Sequence, residues 1–288
     1  LLKALVATGK PVVLVLFNGR PLTLTWENEN VPAILDVWFA GSEAGDAIAD
    51  ALLGKVNPSG KLSMSFPQNV GQIPLYYNHK NTGRPLTGKW FSKFQSNYID
   101  VSNEPLYPFG FGLSYTSFEY GAMQVSSNQL KGNQKLRVTI PVKNTGKYTG
   151  KEVVQLYIRD EVGTITRPVK ELKGFEKIEL AAGETKEVVF EITPELLEQL
   201  NEELKSVVEP GIFRIMIGSS LPARRLIRCG QRGSAVPMPR ACAQRGDRNG
   251  RNRRDRRCPP RPAPDGAVRS PDRSSPYAAP SGPARRCV

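Results

Sequence analysis

Histidine is almost missing from this sequence of 288 residues: His79 is the only one. Without a second imidazole, neither a His-based catalytic triad nor a multi-His metal site can be assembled, and His79 reads as a loop residue. Cysteine is scarce as well. Cys229, Cys242, Cys258 and Cys287 stand at spacings of 13, 16 and 29 and form no C-x-x-C pair, which argues against a zinc site. No phosphate-cradling or dinucleotide-binding glycine motif occurs, so neither a cofactor nor a metal is expected. There is no run of about 18 apolar residues and no secretory leader, so no membrane partner is expected. The sequence opens on Leu1 and its first methionine is Met64, which leads us to expect a start inside a longer polypeptide or after processing.

Acidic charge is in deficit, but only at one end. The net charge of +13 comes from residues 221–288, which hold 17 Arg, 4 Asp and no Lys, whereas residues 1–220 hold 23 basic and 23 acidic side chains. The body of the chain is electrically balanced and offers no basic face to a polyanion. The Arg-rich end raises the possibility of phosphate binding, yet Tyr277 is its only aromatic and base stacking has nothing to work with. No nucleic-acid partner is therefore expected.

Pattern is plentiful in the body. Leu1 to Lys10 reads as the tail of a helix stopped by Gly9, and Val12 to Phe17 as a strand buried on both faces. After the Asn18-Gly19 turn, a second apolar segment runs from Ala33 to Trp38. Gly41 to Pro67, GSEAGDAIADALLGKVNPSGKLSMSFP, then reads as helix, turn and strand. Ser42 is the expected N-cap, and Ala44, Ala47, Ile48, Ala51 and Leu52 form one apolar stripe. Gly54 is the left-handed stop. Residues 57–60, NPSG, have tight-turn chemistry, and Leu62, Met64 and Phe66 alternate with polar residues as a half-buried strand should. The order helix, strand, crossover, strand, helix implies a parallel α/β sheet.

Gln68 to Glu104 has weak periodicity and many turn-formers, and is expected to pack over a surface outside this chain. From about Tyr115 the pattern changes to short alternating strands at 118–125, 136–142, 153–159, 169–179, 186–192 and 213–217, the signature of a β-sandwich. Glu195 to Leu204 reads as a short helix between strands. Beyond Leu221 the Arg, Pro, Ala, Gly and Ser composition supplies too little apolar surface to offset ordering entropy, and disorder is expected. The fold class is thus α/β plus all-β.

In an open parallel sheet, ligands lie beyond the carboxyl ends of the strands. Here those ends carry Arg20, after the Asn-Gly turn, and Glu43, at the head of the helix. They are the candidate substrate-binding residues, each with the plainer alternative of a solvated surface charge. Glu43, Asp46 and Asp50 share a helix flank, but a solvated face explains them better than a catalytic pair. Trp38 and Phe39 suit either core packing, the stronger reading, or stacking on the ring of a ligand. The aromatic, Gly-rich stretch PLYPFGFGLSYTSFEY reads as a packed linker between domains.

Three long stretches, Lys10 to Leu22, Gly41 to Pro67 and Pro105 to Tyr120, resemble glycoside hydrolase family 3, above all its bacterial periplasmic β-glucosidases. The resemblance runs to about Ser220. It implies that residues 1–75 are the C-terminal part of the family's α/β sandwich domain and 76–114 an irregular interdomain linker. It further implies that 115–220 are a fibronectin type III-like domain whose last strand is missing, so that 221–288, expected to be disordered, read as out-of-frame or misassembled coding sequence. The activity implied is retaining hydrolysis of terminal non-reducing β-D-glucosyl residues, which needs two carboxyl groups about 5–5.5 Å apart. The family's nucleophilic Asp lies in an upstream barrel and its acid/base Glu before the first strand seen here. No catalytic residue is carried over, and the chain alone is expected to be inactive. A β-glucoside or oligosaccharide partner would be met through the upstream domains, with Arg20 touching the sugar or a barrel carboxylate. The compartment implied is periplasmic or extracellular. A rival reading from the residues is a stand-alone carbohydrate-binding or protein-interaction module built on the sandwich.

Overall fold

The structure is a computed structural model that describes residues 1–85 and 93–219, together with the backbone of 223–230. Helix α1 (Leu2–Val6) ends before Gly9, whose φ of 74° is the left-handed stop its position called for. Strand β1 (Val13–Leu16) pairs in parallel with β2 (Ala33–Asp36), Val13 opposite Ala33, and the crossover between them carries α2 (Thr25–Asn30). Helix α3 (Ala44–Leu52) follows, with Gly54 at φ 74° behind it and Lys55 paired to Asp50 at 3.0 Å. The α/β order is therefore as the sequence implies.

Several details differ. The N-cap of α3 is Glu43, not Ser42, and its side chain makes no cap hydrogen bond. Residues 57–60 form no tight turn, because the Asn57 side chain is drawn elsewhere. Its Nδ2 donates to the Thr149 carbonyl (3.0 Å), and its Oδ1 accepts from Ser114 Oγ and the Tyr115 amide (both 2.8 Å). Leu62 to Phe66 is not a strand either. A strand needs a continuous ladder, and this segment finds one only at its ends, where Leu62 exchanges bonds with Gly110 and Phe111, and Phe66 with Leu106 and Tyr107. Met64, in between, is left exposed.

Part of the 68–104 loop packs on the sandwich of this same chain, while Val70, Ile73, Tyr76, Phe94 and Ile99 stay exposed on it. A short 3-10 turn (Val70–Gln72) buries Gln72, which accepts from the Gln68 amide and donates to the Ser102 carbonyl. Tyr77 stacks on Phe109 with ring centres 4.1 Å apart, its hydroxyl accepts from the Leu172 amide, and the His79 carbonyl accepts from the Val169 amide.

The sandwich opens with β3 (Phe118–Tyr120), β4 (Gln124–Val125) and β5 (Gln129–Lys131). It continues through β6 (Leu136–Asn144), β7 (Gly150–Asp160), β8 (Glu171–Leu180) and β9 (Thr185–Ile192). In one sheet β6 pairs with β3, β4 and β9. The alternation holds: Val138, Ile140 and Val142 of β6 meet Val154, Leu156 and Ile158 of β7 in one core. Each fully buried side chain of this size contributes about 1.5–3 kcal/mol.

The helix expected over 195–204 shrinks to one turn, α4 (Pro194–Leu197), followed by a hairpin of β10 (Gln199–Leu200) and β11 (Ser206–Val207). The cause is Asn201, whose side-chain oxygen accepts from the amides of Glu203 and Lys205 and folds the chain back, with Leu204 at φ 59°. After β12 (Gly211–Gly218) comes β13 (Ala223–Gly230). The second sheet runs β5, β13, β12, β7, β8. This corrects the expectation of a missing last strand and of disorder beginning at 221. An open β12 edge offers unpaired amides and carbonyls, and any proline-free segment of matching length can satisfy them. Pro222 precedes the strand in the sequence and so removes no donor from the ladder, in which Gly211 faces Cys229 and Ile217 faces Ala223. The remainder of the Arg-rich tail, 231–288, lies outside the described residues.

Candidate functional site

The carboxyl ends of β1 and β2 lie side by side, as parallel pairing requires, and the loops leaving them meet. Asn18 is buried, and its Nδ2 donates to the Arg20 carbonyl at 2.9 Å, which shapes the 18–20 turn. Gly19 is glycine for a steric reason: a Cβ there would stand 2.6 Å from Cζ of Phe39. The Phe39 ring thus lies over the 18–20 turn and ties the two loops together, yet it is 86% exposed.

Trp38 behaves differently from its neighbour. Its ring meets Phe66 edge-on at 5.8 Å, within a small core formed with Leu24 and Tyr107. Of the two aromatics, Trp38 packs against the buried cluster, while Phe39 touches only the 18–20 turn and is otherwise exposed. Trp38 also has φ 49°, a backbone setting that costs a residue other than glycine about 1–3 kcal/mol. Such strain persists only where its surroundings impose it, and it re-aims the chain so that Phe39 points outward. Nothing in the sequence pattern announced this bend.

Arg20 and Glu43 are both exposed, and neither side chain has a hydrogen-bond or ion-pair partner among the described residues. They occupy the two neighbouring loop ends but are not joined to each other. Glu43 stands at the head of an apolar groove of about 300 Å³ whose floor is Leu35 and Val37 and whose wall is Ala44, Ala47, Ile48 and Ala51. The stripe of α3 expected from its spacing is real, but it faces this open groove rather than a filled core. Of the other two carboxylates on the flank, Asp46 is exposed in the first turn and Asp50 is spent on Lys55. These carboxylates form no buried pair of the kind that hydrolysis by retention requires.

Behind the loops, the α/β region is held to the sandwich by contacts the sequence reading missed. Lys61 Nζ sits 3.1 Å from Glu152 Oε2 and donates to the Gly112 carbonyl at 3.0 Å; both side chains of the pair are nearly buried. Tyr120 donates to the other oxygen of Glu152 at 2.8 Å, and burial beside that carboxylate pushes the Tyr120 hydroxyl far up. Tyr115 donates to the Ala51 carbonyl near the end of α3. The stretch PLYPFGFGLSYTSFEY is indeed packing material. Tyr107 stacks on Phe111 at 5.3 Å, and Phe109 reaches Tyr77 and Tyr157. His79 is an exposed loop residue whose Nδ1 lies 3.2 Å from the Lys80 carbonyl. Among the described residues no cluster of His, Cys, Asp and Glu is arranged to hold a metal ion, and no helix is long and apolar enough to cross a membrane.

Comparison with known proteins gives this arrangement a context. Residues 1–115 match the glycosyl hydrolase family 3 C-terminal domain, and residues 152–221 match the fibronectin type III-like domain. The periplasmic beta-glucosidase of Salmonella typhimurium is 52% identical over 218 residues, covering 76% of this chain but 28% of the relative. A beta-xylosidase of Formosa agariphila is 47% identical over 223 residues, covering 77% of this chain and 30% of the relative. The crystal structure of beta-glucosidase from Listeria innocua in complex with glucose superposes with a TM-score of 0.74 at 48% identity, over 78% of this chain and 32% of that one. The chain thus spans less than a third of the length of these relatives, and within that span it belongs to glycosyl hydrolase family 3, as the C-terminal domain followed by the fibronectin type III-like module.

Proposed function

We propose that the chain is the C-terminal part of a retaining β-glucosidase acting on terminal non-reducing β-D-glucosyl residues, and that it is inactive by itself. The observation that carries this reading is the joined pair of loops at the strand ends. They present an exposed Phe39 and two charged side chains that have no partner among the described residues, in a chain 52% identical to a periplasmic beta-glucosidase over its matched span. Retention requires a nucleophilic carboxylate and an acid/base carboxyl, and the loops supply no such pair. Their role is that of one wall of the site. Phe39 offers an apolar face to a sugar ring, while Arg20 and Glu43 offer hydrogen bonds to sugar hydroxyls or to the domain that brings the nucleophile. The β-glucoside partner is met through that domain. A periplasmic or extracellular setting agrees with the Salmonella relative's name. Glucose is favoured over xylose as the sugar because the Listeria relative is a beta-glucosidase solved with glucose, although a beta-xylosidase matches nearly as well.

The test is hydrolysis of aryl β-glucoside and β-xyloside by two purified proteins: this chain, and the chain extended upstream in its own reading frame. We expect no turnover from the first, and β-glucoside turnover from the second that falls when Phe39 is replaced by Ala. Turnover by the short chain that Glu43→Gln abolishes would mean that the carboxylate chemistry lies in these loops after all.

A further inference from the structure

A second cavity, of about 270 Å³, lies behind the loops, and its chemistry is not explained by them. Leu16, Ile34, Trp38, Phe66 and Phe111 make its wall apolar. Asp36, the last residue of β2, lines it too, and both of its carboxylate oxygens are shielded from solvent without a hydrogen-bond partner among the described residues. The Trp38 amide leans towards the carboxylate without reaching hydrogen-bond geometry, and burial raises the acid's pKa despite it. Lys61 lines the same cavity, but its ammonium is engaged by Glu152 and the Gly112 carbonyl. An ion stripped of water without a counter-charge is an arrangement that folded proteins avoid.

The surroundings say what is missing. Among the described residues β1 and β2 pair only with each other, so each strand keeps one edge open, and Val13 and Phe17 beside them are exposed. The relatives that match this span are more than three times as long. We propose that the Asp36 cavity is the socket for a cationic side chain on an apolar stem, a Lys or Arg, carried by the polypeptide that covers the open edge of this sheet in the longer family protein. The apolar wall takes the methylene stem and Asp36 takes the charge. This rests on the proposed function only in assuming that such a polypeptide exists; it does not depend on which sugar is cleaved.

The probe is n-butylguanidinium, with n-butanol as its neutral counterpart, titrated into the whole chain at pH 7 and read by calorimetry and by the melting temperature. We expect the cation to bind about tenfold more tightly than the alcohol, and Asp36→Asn to abolish that difference while Asp36→Glu retains part of it. Equal binding of the two probes, or a preference that survives in Asp36→Asn, overturns the proposal. The same titration on the upstream-extended protein identifies the occupant. With a Lys or Arg already in the socket, the probe no longer binds, and Asp36→Asn lowers the melting temperature by several degrees, which it does not do in the short chain. If the extended protein still binds the probe as tightly, the cavity is open to free ligands and the side-chain occupant is wrong. Glycosidase activity of the extended protein is scored separately: its absence would sink the proposed function and leave the socket standing.

Discussion

In the sandwich, every second residue of β6 is buried, while in the α/β region β1, with the stronger apolar run, leaves its first residue Val13 48% exposed and Phe17, just past its end, 62% exposed. The two regions have equally clear sequence patterns and very different cores. The sandwich brings two sheets face to face, so each alternating side chain has an opposite number. The α/β region has two paired strands and an apolar helix stripe that faces an open groove, and its buried cluster is Leu24, Phe66 and Tyr107. An apolar pattern states what a segment needs to bury; whether it is buried depends on what lies opposite.

The largest expected effect follows directly. Residues 115–230 expressed alone should unfold in one cooperative thermal transition, while residues 1–75 alone should show none and should associate through their open strand edges. A soluble monomer of 1–75 with a sharp transition would remove the contrast between the regions.

The junction comes next. Glu152→Ala strands Lys61 in a nearly buried position and frees the Tyr120 hydroxyl, at an expected cost of about 3–5 kcal/mol by denaturant titration. The exposed pair Lys151–Glu179, 3.5 Å apart on the same sandwich, is the control, and Lys151→Ala should cost about 0–1 kcal/mol. Similar losses at both sites would mean that the junction is no more than a surface contact.

Much of the architecture was legible in the sequence, and the failures share a cause. The parallel order of β1 and β2, the apolar stripe of α3, the stop at Gly54 and most of the sandwich strands follow from period and capping, which are local. The misjudged elements were decided by partners. Asn57 left its turn to bond Thr149, Ser114 and Tyr115; Leu62 to Phe66 lacked a continuous neighbour; Asn201 closed a hairpin where periodicity suggested helix; and β13 formed on an edge that wanted any strand. The candidate site was half legible. Strand-end logic pointed to Arg20 and Glu43, but the left-handed Trp38 that turns Phe39 outward, and the shielded Asp36, needed coordinates to be seen.

A smaller effect tests β13. Its ladder on β12 runs from Gly211 opposite Cys229 to Ile217 opposite Ala223. Truncation after Gly218 should therefore lower the sandwich melting temperature by several degrees, whereas truncation after Gly230 retains the strand and should keep more of that stability. Equal melting temperatures for the two truncations would mean that the Arg-rich strand pairs without stabilising.

The smallest effect is a pH dependence of unusual sign. Burial raises the pKa of Asp36, with the Trp38 amide offsetting part of the shift, so the folded chain holds this proton more tightly than the unfolded chain does. Below the ordinary Asp value of about 3.9 both states are protonated and the residue costs nothing. As pH rises, the unfolded chain ionises first, and stability falls until the folded carboxyl ionises too; above that the loss is constant. Glu195 and Glu209 run the other way, since bonds to Thr193 and Thr164 hold their carboxyls below the usual range and their contribution is lost as pH falls. The difference between wild type and Asp36→Asn cancels those terms. Asp36→Asn should match or trail wild type near pH 3.5 and exceed it slightly at pH 7, with the gap opening above about pH 4. A gap that stays flat from pH 3.5 to 7 would mean that solvent reaches the carboxylate, and that the α/β region is better satisfied by itself than its open sheet edges imply.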